Sequence, residues 1–232
     1  MSKYLSISIC VPAFNEERSL RETVEDLISS LSTLVPELEI IIVDDASIDS
    51  TPQSAKQLAK EYCQVKVVHH KKNLGIGACY RNALVQARGD YFTWFPGDHE
   101  NSAEEFIRCL PYLREDTIVI CHHRGQDPRP IFRRWISCAY TWILNKCFRL
   151  NLKYYNGLAL FPRSILRSLT LVANGFLFTA ENLIKAVKRG YKVVELPAPL
   201  KKRGWGKSKA FSFLSIAQMI RDIYCIFSEQ NY

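Results

Sequence analysis

The chain has 232 residues, of which 47% are apolar, 12% aromatic and 23% charged. That supplies a real hydrophobic core and excludes intrinsic disorder, collagen and coiled coil, and no stretch of about 18 residues is apolar enough to span a membrane. The net charge of +8 is unevenly spread: residues 1–119 carry 12 basic and 18 acidic side chains, and residues 120–232 carry 19 and 5. The second half therefore presents either a solvated basic face or a surface for an anionic partner. Residues 1–20 lack the basic, apolar, small-residue order of a signal peptide. The eight cysteines are scattered, none lies in a CxxC pair, and they fit a reducing compartment. The expected location is cytoplasmic.

The first half alternates strands and helices. SISICVP (6–12) is a short β-branched run, and helical spacing follows from Glu16 to about Leu34. EIIIVDD (39–45) is a buried strand ending in acid. Residues 51–62 are helical, VKVVHH (65–70) is a third strand, residues 76–88 are helical, and DYFTWF (90–95) is a fourth strand. Continuous apolar strands between amphipathic helices predict a parallel sheet covered on both faces. In the second half DTIVICHH (116–123) is a strand. Residues 132–150 place apolar side chains at 132, 135, 136, 139, 140, 143, 144, 147 and 148, a single helical stripe. GLALFP (157–162), a helix near 180–189, a strand at 192–197 and a last amphipathic helix at 209–228 complete the pattern. One domain, 1–232, is expected, with two halves of different pattern, 1–119 and 120–232.

Ligands of an open parallel sheet bind beyond the carboxyl ends of its strands. Three such ends carry acid: Glu16 and Glu17, Asp44 and Asp45, and Asp98 with Glu100. Helix capping accounts for single members, notably Asp49 and Ser50. A dinucleotide reading of Gly75-Ile76-Gly77 fails, because the third glycine position is Tyr80 and the pattern follows the third strand.

Five pieces in order carry a resemblance. They are Val11-Pro12-Ala13-Phe14-Asn15-Glu16-Glu17, Val43-Asp44-Asp45-Ala46-Ser47-Ile48-Asp49-Ser50-Thr51, Asn73-Leu74-Gly75 through Arg81-Asn82-Ala83, Ala87-Arg88-Gly89-Asp90-Tyr91, and Arg203-Gly204-Trp205-Gly206-Lys207-Ser208-Lys209. With them the chain resembles the family 2 glycosyltransferases of GT-A fold, within the dolichol-phosphate mannose synthase branch. The resemblance implies an α/β, Rossmann-like, mostly parallel sheet flanked by helices, with C-terminal amphipathic helices, and makes 1–119 a nucleotide-sugar-binding half and 120–232 an acceptor- and membrane-facing half. It implies that Pro12, Phe14 and Glu16 line the pocket for the donor's base and ribose, and that Asp44 hydrogen-bonds the base edge. A base offers a π-face to an aromatic ring and N–H donors to a carboxylate.

Two departures bear on the chemistry. The family's D-x-D-x-Q reads Pro96-Gly97-Asp98-His99-Glu100 here. Asp98 with Glu100 still suits Mg²⁺ or Mn²⁺, since phosphate and water oxygens fill the remaining positions. The E-D pair that supplies a general base in many members reads Glu181-Asn182. Glu181 stands in as the candidate base, or serves as a helix N-terminal carboxylate. A phosphate acceptor is already anionic and needs no base. A third stretch, D-x-T-S-G in the branch, reads Lys153-Tyr154-Tyr155-Asn156-Gly157, which argues against assuming GDP-mannose as donor.

Together these imply an inverting transferase using a GDP- or UDP-linked nucleotide-diphospho-sugar and a polyprenyl (dolichyl or undecaprenyl) phosphate at the cytosolic membrane face. Asp98, Glu181 and Arg203 are the expected catalytic residues, with Asp98, Arg203 and Lys209 also at the donor. Arg124, Arg133, Arg134 and Ser208 are the expected acceptor and phosphate ligands. Helix 132–150 interleaves aromatic and cationic residues, as a peripheral contact with an anionic membrane does. No base-stacking or recognition-helix pattern supports nucleic-acid binding. The alternatives are a same-fold transferase acting on a sugar hydroxyl of a glycan, and a non-catalytic nucleotide-sugar-binding scaffold.

Overall fold

The computed structural model describes residues 5–97, 103–122, 130–175 and 177–198, and residues 221, 223 and 226. The four expected strands of the first half form as β1 (Ser6–Ala13), β2 (Glu37–Asp44), β3 (Val65–His69) and β4 (Tyr91–Trp94). The helices between them are α1 (Leu20–Leu31), α2 (Thr51–Glu61) and α3 (Ile76–Gln86). Then follow α4 (Glu104–Cys109), β5 (Thr117–His122), α5 (Ile131–Phe148), β6 (Ala159–Pro162), α6 (Arg163–Ser168), α7 (Phe178–Lys188) and β7 (Lys192–Pro197).

One seven-stranded sheet runs in the order β3-β2-β1-β4-β6-β5-β7. All adjacent pairs are parallel except those made by β6, which is antiparallel to both β4 and β5. The expected mostly parallel α/β sheet is thus present, with one reversed strand. Because β6 runs backwards, its first residue lies at the same edge as the last residues of β4 and β5.

Alternation along the strands separates two cores. Ile7, Ile9 and Val11 face a cluster with Ile40 and Ile42, covered by α1 through Leu20, Val24, Leu27 and Leu31. Cys10, Ile41 and Val43 face the opposite cluster, covered by α3, α6 and α7. Leu27 is fully buried, so its replacement by Ala costs about 2–5 kcal/mol.

Two expectations change. Helix α1 begins at Leu20 rather than Glu16, because the Glu16 carbonyl accepts from the N–H groups of both Ser19 and Leu20 in a preceding turn. The single apolar stripe of 132–150 is split between two sides. In α5 only Thr141, Leu144 and Phe148 are buried. Ile131, Phe132, Trp135, Trp142 and Ile143 are exposed, and at 100° per residue they share the face opposite the buried one. Helix 209–228 lies outside the described residues apart from Arg221, Ile223 and Ile226.

Candidate active site

The carboxyl edge is built by two loops that clasp each other. In parallel register Pro12 pairs with Val43 and Ala13 with Asp44, so the β1–α1 and β2–α2 loops leave the sheet side by side. The Asn15 N–H donates to Ser47 Oγ and the Ile48 N–H to Asn15 Oδ1, both at 3.0 Å. The Glu16 N–H donates to Thr51 Oγ1 at 2.8 Å, and the Glu17 N–H to Asp49 Oδ2 at 3.3 Å. Asp49 Oδ1 also accepts from the Thr51 N–H at 3.0 Å. Burial works against its ionisation but is outweighed by the Thr51 hydroxyl and these N–H donors, so its carboxyl sits below the ordinary value. Pro12, Phe14 and Glu16 are half-buried along this mouth.

Asp44 is buried at the end of β2. Its Oδ1 accepts from the Ser47 N–H at 3.1 Å, and its Oδ2 lies 3.2 Å from His69 Nδ1. The sequence-expected residues Pro12, Phe14, Glu16 and Asp44 therefore do share one edge. Gly97, the residue before Asp98, is held at the same place: its carbonyl is 2.9 Å from Ser19 Oγ and 3.3 Å from Thr23 Oγ1. Asp98, Glu100, Arg124, Arg203, Ser208 and Lys209 lie outside the described residues. Asp98 and Glu100 offer two hard carboxylates two positions apart, a donor set that fits Mg²⁺ or Mn²⁺.

Asp45 hangs a second turn from the first. Its Oδ1 accepts from the Leu74 N–H and its Oδ2 from the Gly75 N–H, each at 2.8 Å. His70 Nδ1 lies 2.7 Å from Asp45 Oδ1, and Asn82 Nδ2 lies 2.7 Å from His70 Nε2. The Nδ1–H tautomer satisfies both contacts. Asp45, His70 and Cys79 bring an oxygen, a nitrogen and a sulfur within 4.8 Å of one another. Burial and the neighbouring Asp45 push the Cys79 thiol up to about 12. It stays protonated while the acid is filled by hydrogen bonds, so the group fastens the turn. Sequence reasoning passed over His70; its signal was a histidine pair ending a strand that lies beside an acid-tipped one.

Glu181 occupies a different place from an open edge. It is fully buried. Its carboxylate accepts from the Val172 N–H at 2.9 and 3.1 Å and from the Ala173 N–H at 2.9 Å, and it pairs with Lys185 Nζ at 2.8 Å. Asn182 beside it is also buried. Glu195 accepts from the Lys153 N–H at 2.5 Å. Arg133 is half-buried and Arg134 exposed in the first turn of α5, an element separate from the two loops that form the Asp44 mouth.

The Ala87–Tyr91 motif sits at the other edge. Ser8 Oγ accepts from the Gly89 N–H at 2.8 Å, and Ser6 Oγ accepts from the Asp90 N–H at 2.9 Å. A Cβ on Gly89 would lie 2.6 Å from the Ser8 backbone nitrogen, so no larger residue fits there. This motif fastens the sheet and touches no ligand edge.

Sheet order, the reversed β6 and acids at the carboxyl edge define the class: a GT-A glycosyltransferase fold. The chain belongs to glycosyl transferase family 2, whose profile matches residues 8–169. It is 28% identical over 211 residues to the glycosyltransferase AglD of Haloferax volcanii, an alignment covering 86% of this chain and 34% of that protein. It is 26% identical over 231 residues to the dolichol-phosphate mannosyltransferase of Pyrococcus furiosus, covering 95% of this chain and 63% of that one. The chain thus spans only a third to about two thirds of these two relatives. Its fold matches glucosyl-3-phosphoglycerate synthase of Mycobacterium tuberculosis, solved with Mn²⁺, UDP-glucose and phosphoglyceric acid. The TM-score is 0.69 at 22% identity, over 95% of this chain and 80% of that one.

Proposed function

We propose that the protein is an inverting glycosyltransferase that moves a sugar from a GDP- or UDP-linked nucleotide-diphospho-sugar to a polyprenyl phosphate at the cytosolic face of a membrane. One observation carries the choice of acceptor. Among the described residues of the second half the only carboxylates are Glu181 and Glu195, and both are engaged as hydrogen-bond acceptors. A hydroxyl acceptor needs a base, whereas a phosphate arrives ionised. The lipid-phosphate acceptor in the name of the Pyrococcus relative agrees with this reading.

In this mechanism an acceptor phosphate oxygen attacks the anomeric carbon. The bond from that carbon to the donor's diphosphate breaks, and the nucleoside diphosphate leaves with the electron pair. Pro12, Phe14, Glu16 and Asp44 hold the nucleoside. Asp98 and Glu100 would hold Mg²⁺ or Mn²⁺, and the bound ion would supply positive charge against the leaving diphosphate. Arg124, Arg203, Lys209 and Ser208 meet the phosphates, and α5 with Arg133 and Arg134 lies on the membrane surface. No described helix is long and apolar enough to cross a membrane; the contact in this reading is peripheral, made by α5.

The test is incubation with radiolabelled GDP- and UDP-sugars and either a polyprenyl phosphate or the free polyprenol. Label should enter the phosphate lipid alone. Transfer to a free alcohol or to a glycan hydroxyl would replace this reading with glycan elongation, and no transfer to any acceptor would leave a nucleotide-sugar-binding scaffold.

A further inference from the structure

Between α6 and α7 the chain runs as a strap, residues 169–175, held from both sides. On one side α7 and its C-terminal cap present three charged residues four positions apart. Arg189 binds the Ser168 carbonyl oxygen. Lys185 donates to the Thr170 carbonyl at 2.6 Å. Glu181 accepts from the Val172 and Ala173 N–H groups. On the other side α3 takes over. Arg81 donates to the Ala173 carbonyl at 2.5 Å and also binds Asn174 Oδ1. The Gly77 N–H donates to the Asn174 carbonyl at 2.9 Å.

The upper end of the strap is pressed onto the turn that Asp45 suspends. Gly75 has φ +90, and a Cβ there would lie 2.7 Å from the Asn174 carbonyl oxygen. At Gly77 a Cβ would lie 2.1 Å from the Ala173 carbonyl oxygen. Only glycine permits that approach. So one continuous chain of contacts runs from Lys185 through Glu181, the strap, Arg81 and Gly75 to Asp45, next to the base-facing Asp44. Burying a carboxylate is costly unless every lone pair is used. Glu181 meets that cost with backbone N–H groups of an irregular segment, a device for fixing a loop rather than for moving a proton.

We propose that Arg81 and Glu181 are positioning residues for the donor: through the strap they set the Leu74–Gly75 turn that Asp45 suspends, and hence the place of the adjacent Asp44, which holds the nucleoside. This rests on the transferase reading above. It gives Arg81 and Glu181 a role on the donor side, although Glu181 lies in the acceptor half of the sequence.

The test compares Glu181→Gln and Arg81→Gln with Lys66→Met, which removes a partly buried ion pair at the opposite edge and so reports destabilisation alone. The readouts are the Kd for UDP and GDP with Mg²⁺, the donor and acceptor KM, and amide exchange over residues 73–77. The two strap variants should weaken nucleoside diphosphate binding about tenfold, the loss of a charge-assisted hydrogen bond. They should speed exchange at 73–77 and leave acceptor KM within about twofold of wild type. Lys66→Met should move neither Kd nor that exchange. If exchange at 73–77 is unchanged, or if acceptor KM rises in place of donor Kd, the inference is overturned. A wild-type protein that binds neither nucleotide removes the transferase reading and the donor role with it, while the exchange data still decide whether the strap holds the turn.

Discussion

Ser19 Oγ lies 2.9 Å from the carbonyl oxygen of Gly97, across 78 residues of chain and one residue before Asp98. The same hydroxyl oxygen is 3.0 Å from Glu16 Oε2, so a single side chain joins the β1–α1 loop to the residue that precedes Asp98. Ser19→Ala should leave the fold intact and loosen the backbone that presents Asp98. A lost hydrogen bond of about 1 kcal/mol corresponds to roughly fivefold in affinity. The concentration of Mn²⁺ for half-maximal activity should rise by about that factor, with kcat at saturating metal nearly unchanged. A metal titration that superimposes on wild type would dissolve the link.

Asp98→Ala should reduce turnover by about 10²-fold or more, the scale for removing a principal electrostatic contribution to the leaving group. Circular dichroism should match wild type, because the loop lies beyond β4. Wild-type rates from this variant in EDTA would remove Asp98 from the chemistry.

Stability should depend on pH through Glu39. Burial, the largest single influence, pushes its carboxyl up, but the bonds from Lys66, the Ser8 hydroxyl and the Arg88 N–H together outweigh it, and the group sits below its ordinary 4.5. Lys66 Nζ is 2.5 Å away and Ser8 Oγ also 2.5 Å. A lowered acid contributes stability that is complete above the unfolded value and lost as pH falls through the folded one. Lys66→Met should cost about 1 kcal/mol near pH 7. In urea melts that difference should shrink as pH drops below 4.5; a difference that grows with acid would contradict the assignment.

The exposed face of α5 should bind anionic vesicles. Trp135 and Trp142 are 74% and 63% exposed, and residues 120–232 hold 19 basic and 5 acidic side chains. Each basic group near an anionic surface contributes about 1 kcal/mol, screened by salt, while apolar contact is not. Flotation with phosphatidylserine vesicles should therefore weaken, without vanishing, as salt rises. Arg133→Glu with Arg134→Glu should weaken it at low salt, and Trp135→Ala at high salt. A protein that stays wholly in solution at low salt would end the membrane proposal.

Strand positions and the carboxyl-edge acids were legible in the sequence because burial on two faces demands apolar runs, and acid at their ends stands out. The short helices α4 and α6, six residues each, were not, since six residues show less than two turns of periodicity. The reversed β6 was invisible because strand direction leaves no mark on a four-residue apolar run. The contacts of Glu181 left no mark in the sequence for a related reason: its partners at Val172 and Ala173 are backbone N–H groups, which any residue other than proline provides. The Gly75–Gly77 pair fails the dinucleotide pattern in sequence, and what the pair is for was not legible there: the close neighbour of both glycines is the strap. The two apolar faces of α5 merged into one stripe because periodicity registers apolar character and not what covers it.

The reversal of β6 has a bearing on how such a chain diversifies. Had β6 run parallel, the connection from α5 into it would have emerged at the fastening edge beside Ser6 and Asp90. Running backwards, it delivers residues 149–158 to the carboxyl edge instead, where β4 and β5 end. The Cys121 N–H donates to the Leu158 carbonyl at 2.8 Å and anchors the far end of that connection. The 149–158 connection thus shares the carboxyl edge with the clasped β1–α1 and β2–α2 loops, which belong to other strands. Tyr155 is fully buried and a Cβ on Gly157 would lie 1.8 Å from the Cys121 carbonyl oxygen, so the packing of this connection is fixed and variation there falls to exposed side chains such as Asn151 and Lys153.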